Sequence, residues 1–316
     1  MRLIIIFLLA LTACAPLQNK GRTAYITNQG DNTVSVININ QNKVISTTKV
    51  GKAPVGVAIS AKLQRVFISN VESNSISVID TASNKVIANI ALQGAPVGLA
   101  MAPNDKTLYV ADWYSDSLLA IDTSNYAKRR QLTVATAPAG LIVSPDSKTL
   151  YVAVRDSNQV AEIDTKTFTI SKRIVVGKHP FGLTLSGNGD ILYSVNVYDN
   201  SVSAINTKTW AHTKIKVGEH PYCAVPSSDN KTLYVTNTQD DTVSVIDLSS
   251  QKTIATIDVG MTPECIAYDA ASNRVLIASW GDNKASVIDA RTNKLIGHIK
   301  TGDKSRAFGS FILPEQ

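Results

Sequence analysis

One short strand signature returns along this 316-residue chain at an almost fixed interval, and nothing constrains the fold more. It reads YITN at 25–28, FISN at 67–70, YVAD at 109–112, YVAV at 151–154, YSVN at 193–196, YVTN at 234–237 and LIAS at 276–279. The spacing is 42 residues, with one step of 41. A second series keeps the same rhythm: VSVIN (34–38), ISVID (76–80), LLAID (118–122), VAEID (160–164), VSAIN (202–206), VSVID (243–247) and ASVID (285–289). A third runs into Gly, as in VISTTKVG (44–51) and TIATIDVG (253–260). A fourth starts at Pro54, Pro96, Pro138, Pro180, Pro221 and Pro263. A constant period of this length is the mark of a repeat architecture.

Each unit thus holds four short alternating segments separated by turn signals such as PNDK, PDSK and SNK, which read as four antiparallel strands. Four strands per repeat of about forty residues make a β-propeller blade, and seven copies suit a closed ring. The first copy lacks its proline-led strand. The last is followed by SRAFGSFIL (305–313), with Ser305 standing 42 residues after Pro263. The expectation is an all-β, seven-bladed propeller over residues 23–316. Its C-terminal segment is expected to join the N-terminal three strands as their innermost partner, so that no free edge remains at the seam.

The N-terminus reads differently. MRLIIIFLLALTAC has Arg2, an apolar run from Leu3 to Leu11 and then small residues. That run is too short for a stable bilayer span and matches a secretory h-region. Leu11-Thr12-Ala13-Cys14 resembles the bacterial lipobox, which implies a signal peptide over 1–13, lipidation of Cys14 and a tether over 14–22. Ala15 lacks the Asp associated with inner-membrane retention, so the resemblance implies an outer-membrane lipoprotein facing the periplasm or the surface. The formal net charge is +6, with the lysines spread along the chain. Such a surface is compatible with anionic lipid, polysaccharide or nucleic acid, but an ordinary solvated surface with no such partner is the favoured reading, and among partners nucleic acid is not favoured.

With Tyr234-Val235-Thr236-Asn237 as its clearest copy, the series resembles the YVTN family of β-propeller repeats over residues 23–313. The resemblance is specific for a WD40-like ring and leaves function open, since such propellers serve as binding modules, haem-bearing domains and lactonases.

Strands are named a to d from the axis outward, the proline-led strand being a. The d–a and b–c loops then share one face, the top, while the a–b and c–d turns share the other. Against this frame the copies differ at one sector. Cys223 and Cys265 stand two residues after their prolines, where four other copies have Gly; His179 and His220 stand one residue before theirs. Three readings follow: a disulfide between the cysteines, a soft-metal site for copper or zinc formed by all four, or no shared role. Trp113, Tyr114, Arg155, Tyr198, Glu264, Trp280 and Arg306 are the candidate ligand contacts around the top mouth, where aromatic stacking and carboxylate or phosphate binding are available. The competing and favoured reading is structural, with the aromatics wedged between blades and the arginines paired with Asp. Asp80, Asp122, Asp164, Asp247 and Asp289 close the c strands too regularly to be catalytic and read as turn caps. The functional expectation is a monomeric binding module of the cell envelope, taking a protein, polymer or small ligand on its top face. A metal- or cofactor-binding protein and a lactonase- or lyase-type enzyme are the alternatives, and no residue is assigned a catalytic role.

Overall fold

The computed structural model describes residues 22–314, so the signal-peptide, lipidation and tether assignments over 1–21 lie outside the described residues. Seven sheets follow one another around an axis, each with four antiparallel strands, and the second carries a short fifth strand on its inner edge. Blade 6 shows the unit: strand a Pro221–Pro226, b Thr232–Asn237, c Thr242–Asp247 and d Lys252–Asp258. Strands b and c are buried almost throughout, whereas d alternates and faces solvent. The only helical turns among the described residues are two short 3-10 segments in b–c loops, Arg155–Ser157 and Val197–Asp199.

Each letter of the YVTN signature has a separate bonding duty. The Tyr234 hydroxyl donates 2.8 Å to Asn293 Oδ1 in the c–d turn of the next blade, and Tyr25 reaches Asn84 in the same way at 3.2 Å. Val235 is fully buried in the core that also holds Leu233 and Ile246. Thr236 Oγ1 accepts the Cys223 N–H at 3.1 Å and donates 2.9 Å to the Glu264 carbonyl of the following blade. Asn237 donates through Nδ2 to Thr242 at 3.0 Å and to Ser244 at 2.9 Å on its own strand c. Tyrosine and threonine therefore join blades, and asparagine binds within one. The repeated glycine at the end of strand d belongs to the same set, because a Cβ on Gly218 would stand 2.6 Å from Asn237 Cγ.

The acidic residue closing strand c is a turn cap, as the repeats suggested. Asp247 Oδ1 accepts the Ser250 N–H at 2.7 Å and the Ser249 hydroxyl at 2.6 Å. Those bonds hold its carboxyl down at about 2.

The ring closes through the C-terminal segment, with a geometry richer than one continuous strand. Ser305 and Arg306 pair antiparallel with Asn28 and Thr27 as the innermost strand of blade 1. The chain then crosses to the adjacent blade 2, where Phe308–Gly309 runs parallel to Gly56–Val57. It returns to blade 1, the Tyr25 N–H bonding Phe311 O at 2.9 Å and the Leu313 N–H bonding Thr23 O at 2.8 Å. Gly309 allows the crossing: its φ is +122°, and a Cβ there would come 2.3 Å from the Val57 carbonyl oxygen. Phe308 and Phe311 are buried at the axis, and this burial draws the middle of the segment away from Tyr25.

Candidate functional site

The start of strand a is built the same way in nearly every blade. Ala53, Ala137, His179, His220, Thr262 and Lys304, each one residue before the strand, share a left-handed φ of 48–58°. Each gives its N–H to an Asn or Asp side chain in the b–c loop of the preceding blade: Asn158 receives that of His179 at 2.8 Å and Asn200 that of His220 at 3.0 Å. This backbone state costs a non-glycine residue energy, and His is among the residues that tolerate it best. The fixed backbone sends both imidazoles onto the top face, on either side of Tyr198. The His179 and Tyr198 rings stack at 4.2 Å, and Tyr198 meets His220 at 5.5 Å. Burial, helped by the Arg155 guanidinium, holds His179 below its ordinary pKa against the opposing pull of Asp156.

The next residue inward forms a ring of seven around the axis: Val55, Val97, Ala139, Phe181, Tyr222, Glu264 and Arg306. A short bulge at this level leaves two residues of strand a opposite one of strand b, as with Tyr222 and Cys223 opposite Thr236. Phe181 lies 4.2 Å from Tyr222 and 4.8 Å from Phe308, ring to ring. Trp113 meets the edge of Phe181 at 5.8 Å, and the Arg155 guanidinium lies 4.5 Å over the Trp113 ring. Glu264 and Arg306 form a buried ion pair, Nε–Oε2 2.6 Å and Nη2–Oε2 2.5 Å. Arg306 also donates to Gln29 Oε1 at 3.2 Å and to the Tyr222 hydroxyl at 3.4 Å, and Trp280 Nε1 donates to the same Gln29 oxygen at 3.2 Å. Burial pushes the Glu264 carboxyl up while Arg306 opposes it, and burial pushes the Tyr222 hydroxyl well up.

This ring plugs the top mouth. Aromatic rings and the ion pair fill the mouth, and open space lies beneath them in the channel. A cavity of about 400 Å³ runs along the channel between residues such as Leu99, Leu141, Leu183, Ile266 and Phe311 as far as Pro103 in an a–b turn. Its walls are mostly apolar side chains and strand backbone, with Thr184, Tyr268 and Ser310 among them.

The proposed four-residue metal set is divided. Cys223 and Cys265 sit together under the ring, both buried and both free thiols. His179 and His220 project outward beside Tyr198. Among the described residues no three His, Cys, Asp or Glu side chains converge as a metal-binding group. The physical reason is strand alternation. Residues before and after the proline point to different surroundings, so equivalent sequence columns do not share one locus. The neighbouring Cys265 thiol and burial push the Cys223 thiol well above its ordinary pKa.

The remaining candidates separate by exposure. Glu264, Arg306, Trp113 and Trp280 serve the interior of the plug, whereas Tyr114 and Tyr198 are 78% and 59% exposed in top-face loops. Arg155 is held by Asp156 at 2.9 Å as well as by Trp113. Sequence reasoning passed over Phe181, Tyr222, Phe308 and Gln29. The first two stand in one repeat column, immediately after the proline, where the residues of blades 5 to 7 depart from Val or Ala as sharply as the Cys and His columns do.

A family model described as a YNCE-like beta-propeller matches residues 57–195. No curated protein matches the chain significantly. Among solved structures, the fold is similar to Kuenenia stuttgartiensis hydrazine synthase, at 19% identity over 85% of this chain and 92% of that chain, TM-score 0.78. It is equally similar to a functionally unknown protein from Desulfotomaculum acetoxidans DSM 771, at 15% identity over 92% and 100% of the two chains, TM-score 0.78. The dihydro-heme d1 dehydrogenase NirN, solved in complex with DHE, aligns at 12% identity over 90% of this chain and 74% of that chain, TM-score 0.69. Identities at this level show the fold alone. In sequence pattern and in structure the chain is a β-propeller.

Proposed function

We propose that this seven-bladed β-propeller is a lipoprotein of the bacterial cell envelope, carried on the outer membrane by lipid at Cys14, that binds a partner on its top face. The observation that carries the reading is the band of rings left on that face after the plug is filled. Tyr198 stands exposed between His179 and His220, and Tyr114 projects from the b–c loop of blade 3. Exposed aromatics held by rigid strands bury large area at small entropic cost, so they suit a partner protein or the sugar rings of an envelope polymer. The described chain begins on the opposite face, where the Ile39 N–H bonds the Arg22 carbonyl at 2.8 Å in a c–d turn. A tether leaving there directs the top face away from the membrane.

The test is photo-crosslinking in intact cells, with a photoreactive amino acid at Tyr114 or Tyr198 and, as controls, at Ser147 or Asn188 in a–b turns. The reading expects one discrete adduct from the top-face positions and none from the turns. Equal yields from both faces, or adducts from the turns alone, would refute it. Metabolic labelling with an alkynyl fatty acid, lost in Cys14→Ser, tests the anchor separately.

A further inference from the structure

The outer d strands carry a pattern confined to one side of the ring. In blades 1, 2, 6 and 7 the d strands are Lys43–Lys49, Lys85–Ala91, Lys252–Asp258 and Lys294–Lys300, each with a one-residue bulge against strand c. The residue left out of the pairing is Ile45, Ile87, Ile254 or Ile296, and these side chains are 48%, 51%, 58% and 46% exposed. Two residues earlier each strand opens with an exposed lysine. In blades 3, 4 and 5 the corresponding pairs are Ala127 and Arg129, Thr169 and Ser171, Ala211 and Thr213. Blades 6, 7, 1 and 2 are consecutive around the ring, so the four lysine–isoleucine pairs form one arc.

Edge protection accounts for a lysine and a bulge on an outer strand. It does not account for isoleucine at the bulge, because blade 4 keeps the bulge with Ser171 in that place. Nor does it confine the pattern to one arc. The middle of that arc is the seam between blades 7 and 1, where the described chain begins. There Arg22 pairs with Asp269 of blade 7 and bonds Ile39 of blade 1. From Cys14 to Arg22 the chain spans at most roughly 26–29 Å when fully extended. Both pattern positions lie near the c–d turns, on the face from which that tether departs. The acidic residues of these turns are already engaged: Asp80 by Arg65 at 2.8 Å, Asp289 by Arg291 at 3.0 Å and Asp247 by Ser249 and Ser250. Blade 1 has the neutral Asn38 at that point.

We propose that this arc rests on the membrane surface, the lysines meeting anionic phospholipid headgroups and the isoleucines entering the headgroup layer. The inference rests on lipidation of Cys14, which keeps the arc at the bilayer. An apolar strip flanked by flexible cations is the chemistry of an interfacial docking surface. Lipid at Cys14 holds the protein at the bilayer through a tether that leaves its orientation free, and a basic apolar patch supplies a second contact that fixes it.

The test uses the full chain purified from membranes, with its acyl state read by intact mass. An environment-sensitive dye is placed by Ile87→Cys or, at the corresponding site outside the arc, Thr213→Cys. The protein is then reconstituted on phosphatidylcholine vesicles with or without phosphatidylglycerol, and nitroxide-labelled lipid serves as quencher. The expected result is a blue-shifted, quenched signal at position 87 on the anionic vesicles and a water-like signal at position 213. In a K43E/K85E/K252E/K294E variant with an unchanged melting temperature, quenching at 87 should fall to its level on phosphatidylcholine. Acylated protein in which both positions stay water-like overturns the docking and leaves the anchor standing. Unacylated protein overturns the anchor and the docking with it. A shift at 87 that follows protein density and ignores quencher would assign the arc to contact between copies and overturn the proposal.

Discussion

Replacing Arg306 with Met tests how the ring is held at its seam. Arg306 belongs to the C-terminal segment, Glu264 to blade 7, and their side chains are only 15% and 9% exposed. Met keeps much of the apolar volume and removes the charge, leaving Glu264 buried with neither its salt partner nor its hydrogen bond. Breaking one side of such a pair costs about 3–5 kcal/mol. With an unfolding entropy of about 2.1 cal/mol/K per residue, a ring of this size changes stability by roughly 0.6 kcal/mol per degree at its midpoint, so the melting temperature should drop by about 5–8 °C. The loss should depend on pH in a defined direction. Without the guanidinium the folded-state pKa of Glu264 rises further above its unfolded value. That contribution to the variant's stability is complete below the unfolded pKa and disappears as pH rises through the folded one. Thermal melts followed by circular dichroism at pH 5 and pH 8 should therefore show a larger penalty at pH 8. The double variant R306M/E264M, with no charge left to bury, should recover most of it. A penalty under about 1 kcal/mol, equal at both pH values, would refute the reasoning, since the smallest cost expected for an orphaned buried charge is several times that.

Thr236→Val removes a hydroxyl that joins blades 6 and 7 while preserving shape, leaving the Cys223 N–H and Glu264 carbonyl without it; urea unfolding should show a loss of about 1–3 kcal/mol, and a neutral result would contradict the assigned role of the third motif letter. Cys223 and Cys265 should resist thiol reagents in the native state and react together in denaturant without prior reduction; denatured protein that yields thiols only after reduction would contradict the free pair. Asp247, held at about 2, favours the fold above its unfolded pKa and loses that contribution as pH falls through the folded value. The gap in melting temperature between wild type and Asp247→Ala should therefore shrink between pH 6 and pH 2, and a gap that widened would refute the turn-cap assignment.

The architecture could be read from the sequence because every blade repeats the same physical task. Tyr, Thr and Asn recur where a neighbouring turn, a neighbouring carbonyl or a paired strand must be bonded, and the prolines and turn caps mark the boundaries between them. The closing strand was legible from Ser305 standing one period after Pro263. Its crossing at Phe308–Gly309 was not, because that depends on the space left at the axis and on a glycine whose turn is invisible without its neighbour Val57. The site was harder to see because column position does not give side-chain direction. His179, Cys223 and Glu264 lie within two places of their prolines, yet they face outward, between blades and into the plug. In one dimension Arg155 and Arg306 fitted either ligand binding or internal pairing with an acidic residue. In three, their charges are used within the protein, by Asp156 and Trp113 and by Glu264. Tyr114 and Tyr198 stand exposed on the surface.

Hydrogen exchange at two amides bears most directly on the closed ring. Tyr25 and Leu313 belong to opposite ends of the chain and bond Phe311 O and Thr23 O. If the termini clasp, both amides exchange only through global opening and share the protection of Val235 in the core of blade 6. Exchange of either at the rate of a fraying end, with Val235 still protected, would mean that the ring is not closed by its last strand.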